Sequence, residues 1–217
     1  DVAAAFDSLQ SMAKLDSIAL SDSNGSLHLS AGQVLGGVSL LGKISSPFQI
    51  TATGVSLAQL DDMQALDEVT HIAISDSAAT VSASFDDLAT LADALSSIHL
   101  SDSTPVLALT QQAFAAGTST LDKIDGSYQV DLSQVQAGSV ATLADEDSVH
   151  QLAVADTADN IAANWDALVL AYNGGSGKLA ALALNDSNPI TLTEAQQTAG
   201  AALITALLPD ETILTAA

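Results

Sequence analysis

Five aspartates stand at the ends of short apolar-alternating segments, each followed by Ser or Thr. They are Asp22, Asp76 and Asp102 in (Leu/Ile)-Ser-Asp-Ser, Asp156 in Val-Ala-Asp-Thr and Asp186 in Leu-Asn-Asp-Ser. Carboxylates gathered along one edge could share calcium, which takes six to eight oxygen ligands from Asp and carbonyl groups. The same carboxylates, with the hydroxyl beside them, can instead accept backbone N–H groups in the turn that follows each segment. Both readings stand at this stage, with calcium the candidate ion and turn capping the simpler use. The pairs Asp61-Asp62, Asp67-Glu68 and Asp86-Asp87 and the triplet Asp145-Glu146-Asp147 add local charge, but none has the spacing of an EF-hand loop.

Other chemistry-bearing patterns are incomplete. His28, His71, His99 and His150 form no H-x-x-x-H pair, although His71 and His99 fall on similar segments and are expected to be diagonal neighbours. With no cysteine, no thiolate metal site and no disulfide can form. No G-x-S-x-G elbow surrounds any serine. Gly174-Gly175-Ser176-Gly177-Lys178 lacks the phosphate-loop spacing, because Leu179 follows the lysine, and reads as an insertion loop. No catalytic residue is assigned, and the chain is expected not to be an enzyme.

Charge narrows the partners. The 217 residues carry 26 acids against 4 bases, all lysine, for a net charge of −22. A basic face able to displace counterions from phosphates is missing, so nucleic acid is not an expected partner. An anionic membrane surface would repel the chain, and no apolar run approaches the roughly 18 residues of a membrane span. Hydrophobic residues make up 48% of the chain, enough to bury a core. A first residue Asp1 and the absence of a visible signal segment suggest a piece of a longer protein.

The elements that hold these residues repeat. Val2-Ala-Ala-Ala-Phe-Asp-Ser-Leu9 returns as Val81–Leu88 and as Ile161–Leu168, and Ser17–Ser23 returns as Ser97–Ser103 and Ala181–Ser187. Leu41-Gly-Lys-Ile44 returns as Leu121-Asp-Lys-Ile124. The period is about 80 residues, giving repeats 1–79, 80–160 and a partial 161–217 within one expected domain. Short strands are expected around 18–22, 48–52, 72–76, 98–102, 128–132, 152–156, 182–186 and 212–216, spaced about 24–30 residues apart. Between them a helix is expected over 80–95, with Phe85, Leu88, Leu91, Ala92 and Leu95 on one face, capped by Ser77 or Thr80 and, in the next copy, by Thr157. Segments 26–30, 106–110 and 190–193 look like extra strands of a second sheet. One strand and one helix per coil is the pattern of a right-handed α/β solenoid with a parallel sheet.

The strand pattern L-x-x-I-x-L-x-D, seen in Leu15, Ile18, Leu20 and Asp22 and again in Val69, Ile72, Ile74 and Asp76, resembles the leucine-rich-repeat strand, with Asp where that family has Asn. The run Ala155–Leu168 is similar to repeats of very large secreted bacterial surface and adhesin-like proteins associated with type I secretion. The resemblance implies an extracellular or cell-surface place and a structural or interaction role. The alternative is a module that binds calcium or a surface polysaccharide through its acidic edge. Outward strand positions such as Ala19, Thr51, Ala73, His99, Asp131, Ala153 and Ala183 form a small, nearly uncharged face without the aromatic or Arg anchors of a typical interface. Protein or polysaccharide partners and end-to-end homo-oligomers are the expected associations.

Overall fold

A computed structural model describes residues 2–22, 24–91, 93–174 and 177–216. Strands follow in chain order as β1 (Gly25–Ser30), β2 (Phe48–Val55), β3 (Val69–Asp76), β4 (Leu95–Leu100), β5 (Val106–Thr110), β6 (Ile124–Asp125), β7 (Gln129–Val135), β8 (Val149–Asp156), β9 (Leu179–Leu184), β10 (Ile190–Leu192) and β11 (Ile213–Thr215). The chain divides into two compact units, one of residues 1–103 and 117–126, the other of residues 104–116 and 127–217.

The first unit holds a sheet ordered β1-β2-β3-β4-β6, and the second holds β5-β7-β8-β9 together with the pair β10-β11. Every pairing is parallel. Parallel neighbours need a crossover, which here runs through short helices and 3₁₀ turns, and between β4 and β6 and between β5 and β7 also through a strand of the other sheet. The fold class is therefore α/β with parallel sheets. Paired residues lie closest in the chain between β2 and β3 and between β7 and β8, as in Ile50↔Val69 and Val130↔Val149, and farthest apart between β8 and β9, as in Asp156↔Leu184. The shortest coils are thus tighter than the sequence spacing implied. They cross over through a 3₁₀ turn and a single short helix, such as Leu57–Gln59 and Leu60–Gln64.

Two local expectations are corrected by the structure. The helix expected over 80–95 is two helices, Ala78–Ala83 and Phe85–Thr90, broken where Ser84 leaves helical geometry at φ −112° and ψ 16°. Leu95 begins β4, and Ala92 lies outside the described residues. Phe85, Leu88 and Val81 still share the buried face, because both helices lie along the same side of the sheet. The segments at 26–30, 106–110 and 190–193 do not pair with one another as a sheet of their own. They are β1, β5 and β10, and each pairs in the same register with a strand one coil later, as in Gly25↔Phe48, Val106↔Gln129 and Ile190↔Ile213. Residues 18–22 form only a bridge, Ile18↔Ile44. The equivalent pairing in the next repeat, Ile98↔Ile124, joins β4 to β6.

Inward residues of each strand are buried against the helices: Leu27, Leu29, Ile50, Ala52, Ile72 and Ile74 in the first unit, Leu107, Leu109, Val130, Leu132, Leu152 and Val154 in the second. Aromatic side chains fasten the helix layer by lying on glycine. A Cβ on Gly37 would meet the Phe6 ring, and one on Gly200 would sit 2.5 Å from Trp165 Cζ2. Trp165 is fully buried and donates its indole N–H to Gln196 O at 2.9 Å. Only a residue without a side chain lets ring and backbone approach this closely.

Candidate functional site

Four of the five recurring aspartates reach sideways to the strand-and-helix unit before their own. Asp102 Oδ2 accepts Ala78 N–H at 2.6 Å, and Asp186 Oδ1 accepts Ala158 N–H at 3.2 Å. Asp76 Oδ2 accepts Leu57 N–H and Asp156 Oδ2 accepts Ala137 N–H, both at 2.9 Å. Each of these donors is the first residue of a helix or 3₁₀ turn, where intrahelical partners are missing. The hydroxyls of Ser77 and Thr157 cover a different donor, the N–H of Thr80 and of Asn160, as N-caps of their own helices. The helices opening at Ala78 and Ala158 are thus capped twice, once from within and once from the next strand.

Asp76 and Asp156 also accept the N–H of the residue after them, Ser77 and Thr157, at 2.8 Å. Asp156 is 8% exposed and takes a third donor, Asn160 Nδ2, at 2.7 Å. Burial works against the charge of both carboxylates. Donors from Leu57, Ser77 and Thr80 on Asp76, and from Asn160, Ala137 and Thr157 on Asp156, outweigh it and hold both below the ordinary carboxylate pKa. Asp22 differs: among the described residues it accepts only the Ser21 hydroxyl, at 3.4 Å. Among the described residues no group of three or more His, Asp or Glu is arranged to hold a metal ion. The Asp76 and Asp156 carboxylates, with two and three N–H donors, have fewer of their roughly four lone-pair sites free for one.

The uncovered face of the second unit's sheet carries the other polar cluster. His150 Nδ1 and Asp131 Oδ1 are 2.8 Å apart, with side chains 43% and 40% exposed. A register shift between Val130 and Asp131 turns both His150 and Gln151 outward opposite one residue of β7. Beside this pair lies a shallow depression of ≈ 240 Å³ lined by Ala108, Asp131, Ser133, Gln151, Ala153 and Ala180. The Asp131 contact occupies Nδ1 and orients the ring, the arrangement of a base or a single metal ligand acting through Nε2. A nucleophile is not supplied by Ser133, whose hydroxyl donates to Leu109 O at 3.2 Å. His71 and His99 are not neighbours, correcting the sequence expectation. His71 pairs across to Thr51 and His99 to Ser75, four residues farther along β3, about 13 Å away along the strand. Of the Gly174–Lys178 loop, Gly175 and Ser176 lie outside the described residues.

A glutamine cluster went unread in the sequence. Gln111, Gln112, Ala115, Gln134 and Gln136 line a cleft of ≈ 390 Å³. Gln134 sits at φ 54°, in the left-handed region that its counterpart Gly54 occupies at φ 65°. In the first repeat Gln59 Oε1 accepts Ser56 N–H, 3.1 Å, from within the turn. Ser139 replaces that glutamine in the next repeat, and Gln111 takes over, accepting Gln136 N–H at 2.7 Å while donating to Ser139 Oγ at 2.9 Å. The visible signal was the alignment of the repeats, which sets Ser139 opposite Gln59. Compared with known proteins, the chain matches no family model, no curated protein and no solved structure.

Proposed function

We propose that this chain is a non-catalytic structural and interaction segment, a right-handed α/β solenoid of leucine-rich-repeat type belonging to a secreted bacterial surface or adhesin-like protein. One observation carries the reading: the carboxylate at the end of a strand caps the turn of the preceding coil, and it does so at equivalent places in successive repeats. Asp76 with Leu57 matches Asp156 with Ala137, and Asp102 with Ala78 matches Asp186 with Ala158. Polar side chains spent on joining coil to coil are what a repeat array requires, since its stability is the sum of units and nearest-neighbour interfaces. Right-handedness follows from the strong preference of parallel β-α-β crossovers. The small outward side chains of Ala73, Ala153, Ala155, Ala181 and Ala183 favour a display or spacing role over tight recognition, which uses aromatic and Arg anchors.

Deleting one whole repeat tests the solenoid reading. Removing residues 80–159 joins Ala79 to Asn160, equivalent points of two copies, and leaves every retained coil a neighbour of the type it has now. The expected product is a folded chain with a cooperative melt and the same circular-dichroism shape per residue. A deletion product without a melting transition would show that the repeats are not interchangeable units, and the solenoid reading would fall.

A further inference from the structure

The segment Leu15–Asp22 has one edge used and the other open. Ile18 N–H donates to Lys43 O and Ile18 O accepts from Ser45 N–H, both at 2.9 Å. Among the described residues no strand pairs with its opposite edge. The same segment recurs in the next repeat as Leu95–Asp102, identical at Leu15, Ser17, Ile18, Leu20, Ser21 and Asp22. There the opposite edge is filled by β3 and the helix after it. Ile72 N–H donates to Ala94 O at 2.8 Å, Ser101 N–H to Asp76 O at 2.9 Å, and Ala78 N–H to Asp102 Oδ2 at 2.6 Å. The second unit repeats the set: Leu152 N–H to Lys178 O at 2.8 Å, Asn185 N–H to Asp156 O at 2.8 Å, and Ala158 N–H to Asp186 Oδ1 at 3.2 Å.

In the first copy the counterparts Lys14 O, Ser21 N–H and the Asp22 carboxylate have none of these three partners among the described residues. Beside them lies an open cavity of ≈ 500 Å³ whose lining includes Val2, Leu20, Ser21, Asp22, Gly25 and Leu27. Its lining is more polar than apolar, but Leu20 and Asp22 within it are the counterparts of Leu100 and Asp102, which meet β3 and Ala78 in the next repeat.

We infer that the open edge of Leu15–Asp22 and the cavity beside it form a docking site for one further strand-and-turn coil of the β3 type, an extended segment ending in Asp-Ser-Ala whose helix-opening N–H is received by Asp22. This rests on the repeat reading above, but it concerns a single edge and has its own readout. Strand addition supplies the ladder bonds, the cavity takes the alternate apolar side chains, and Asp22 sets the register.

The probe is a fluorescent peptide with the sequence of residues 66–79, which stops short of the positions that Val2–Ala5 already occupy, titrated into the full chain. Saturable one-to-one binding is expected. Asp22→Asn should weaken it several-fold, because a neutral amide oxygen replaces a charged acceptor. A peptide carrying Ala78→Pro lacks the donor N–H yet keeps a good helix start, since Pro suits the first helical position. It should bind the unchanged chain about tenfold more weakly and lose distinctly less on the Asp22→Asn chain, whose neutral amide oxygen is a weaker acceptor for the same N–H. Thermal melts confirm that the variant chain is folded. Binding indifferent to Asp22→Asn places the peptide on another edge and overturns the inference, as does no binding at millimolar peptide. The repeat-deletion experiment can succeed while this one fails, so the two readings are separable.

Discussion

The inter-coil carboxylates set the scale of single-residue effects. Asp156 is buried and receives three N–H donors, so Asp156→Asn presents an amide where two backbone donors still point inward. A loss of about 1–3 kcal/mol is expected in urea unfolding, the cost of leaving buried donors poorly paired. Asp22→Asn, at an exposed carboxylate with no N–H donor among the described residues, should fall within about 0.5 kcal/mol of the unchanged chain. Equal losses at both positions would contradict the capping roles assigned here. Acid should act through the same groups. Asp76 and Asp156 have depressed folded-state pKa values, so the stability they contribute is complete above the ordinary 3.8 and drains away as pH falls through the lowered values. Denaturation midpoints followed from pH 6 to pH 2 should drop more steeply below pH 4 for the parent than for Asp156→Asn. Thr120 is an opposite case. It is fully buried, its hydroxyl has no partner among the described residues, and its counterpart one repeat earlier is Leu40. Thr120→Val keeps the shape and removes the stranded hydroxyl, and a gain of about 1 kcal/mol is expected. A destabilised Thr120→Val chain would show that the hydroxyl is satisfied after all.

At the scale of elements, the ring-on-glycine contact fixes how closely consecutive helix pairs approach. Gly200→Ala places a methyl about where the Trp165 ring lies and should cost about 1–3 kcal/mol by overpacking. Trp165→Phe shortens the ring to the residue that Phe6 and Phe85 already supply, and combined with Gly200→Ala it should recover part of the loss. A strictly additive double variant in thermal melts would mean that the two residues do not press on each other. The sequence made the strands legible because parallel strands buried on one face alternate apolar and small residues, and because each strand recurs in the next repeat. It did not reveal the helix breaks. Ser84 and Asn164 sit in otherwise continuous apolar spacing, and two short helices present the same periodic face as one long one. Nor did spacing show that β1, β5 and β10 open the parallel sheets, since pairing is set by what lies across and not along the chain. The five aspartates were recognisable as turn residues, but the acceptor role of Asp76, Asp102, Asp156 and Asp186 runs between coils, to donors far along the chain, and no local motif encodes that distance.

For the whole molecule the dominant quantity is a net charge of −22 with only 4 lysines to offset it. The lysines do not pair with carboxylates in the described contacts. Lys43 Nζ donates to Leu15 O at 2.6 Å and Lys178 Nζ to Glu146 O at 2.8 Å, each reaching a neighbouring coil's backbone. Self-repulsion among the acids therefore opposes the compact state, and mobile ions should relieve it within a Debye length of about 8–10 Å at moderate salt. Two kinds of relief are distinguishable. Screening depends on ionic strength alone, so sodium, magnesium and calcium chlorides at matched ionic strength should raise the melting temperature by similar amounts. Specific coordination would add a calcium-selective rise that grows with the logarithm of free calcium and vanishes with chelator. The structure commits Asp76, Asp102, Asp156 and Asp186 to backbone N–H groups, and a cation on those oxygens would have to displace the very bonds that join the coils. The expected result is a common rise for all three salts. A calcium-selective rise abolished by Asp156→Asn would reverse the assignment, turning the inter-coil carboxylates from caps into ligands and the structural segment into a calcium-dependent module.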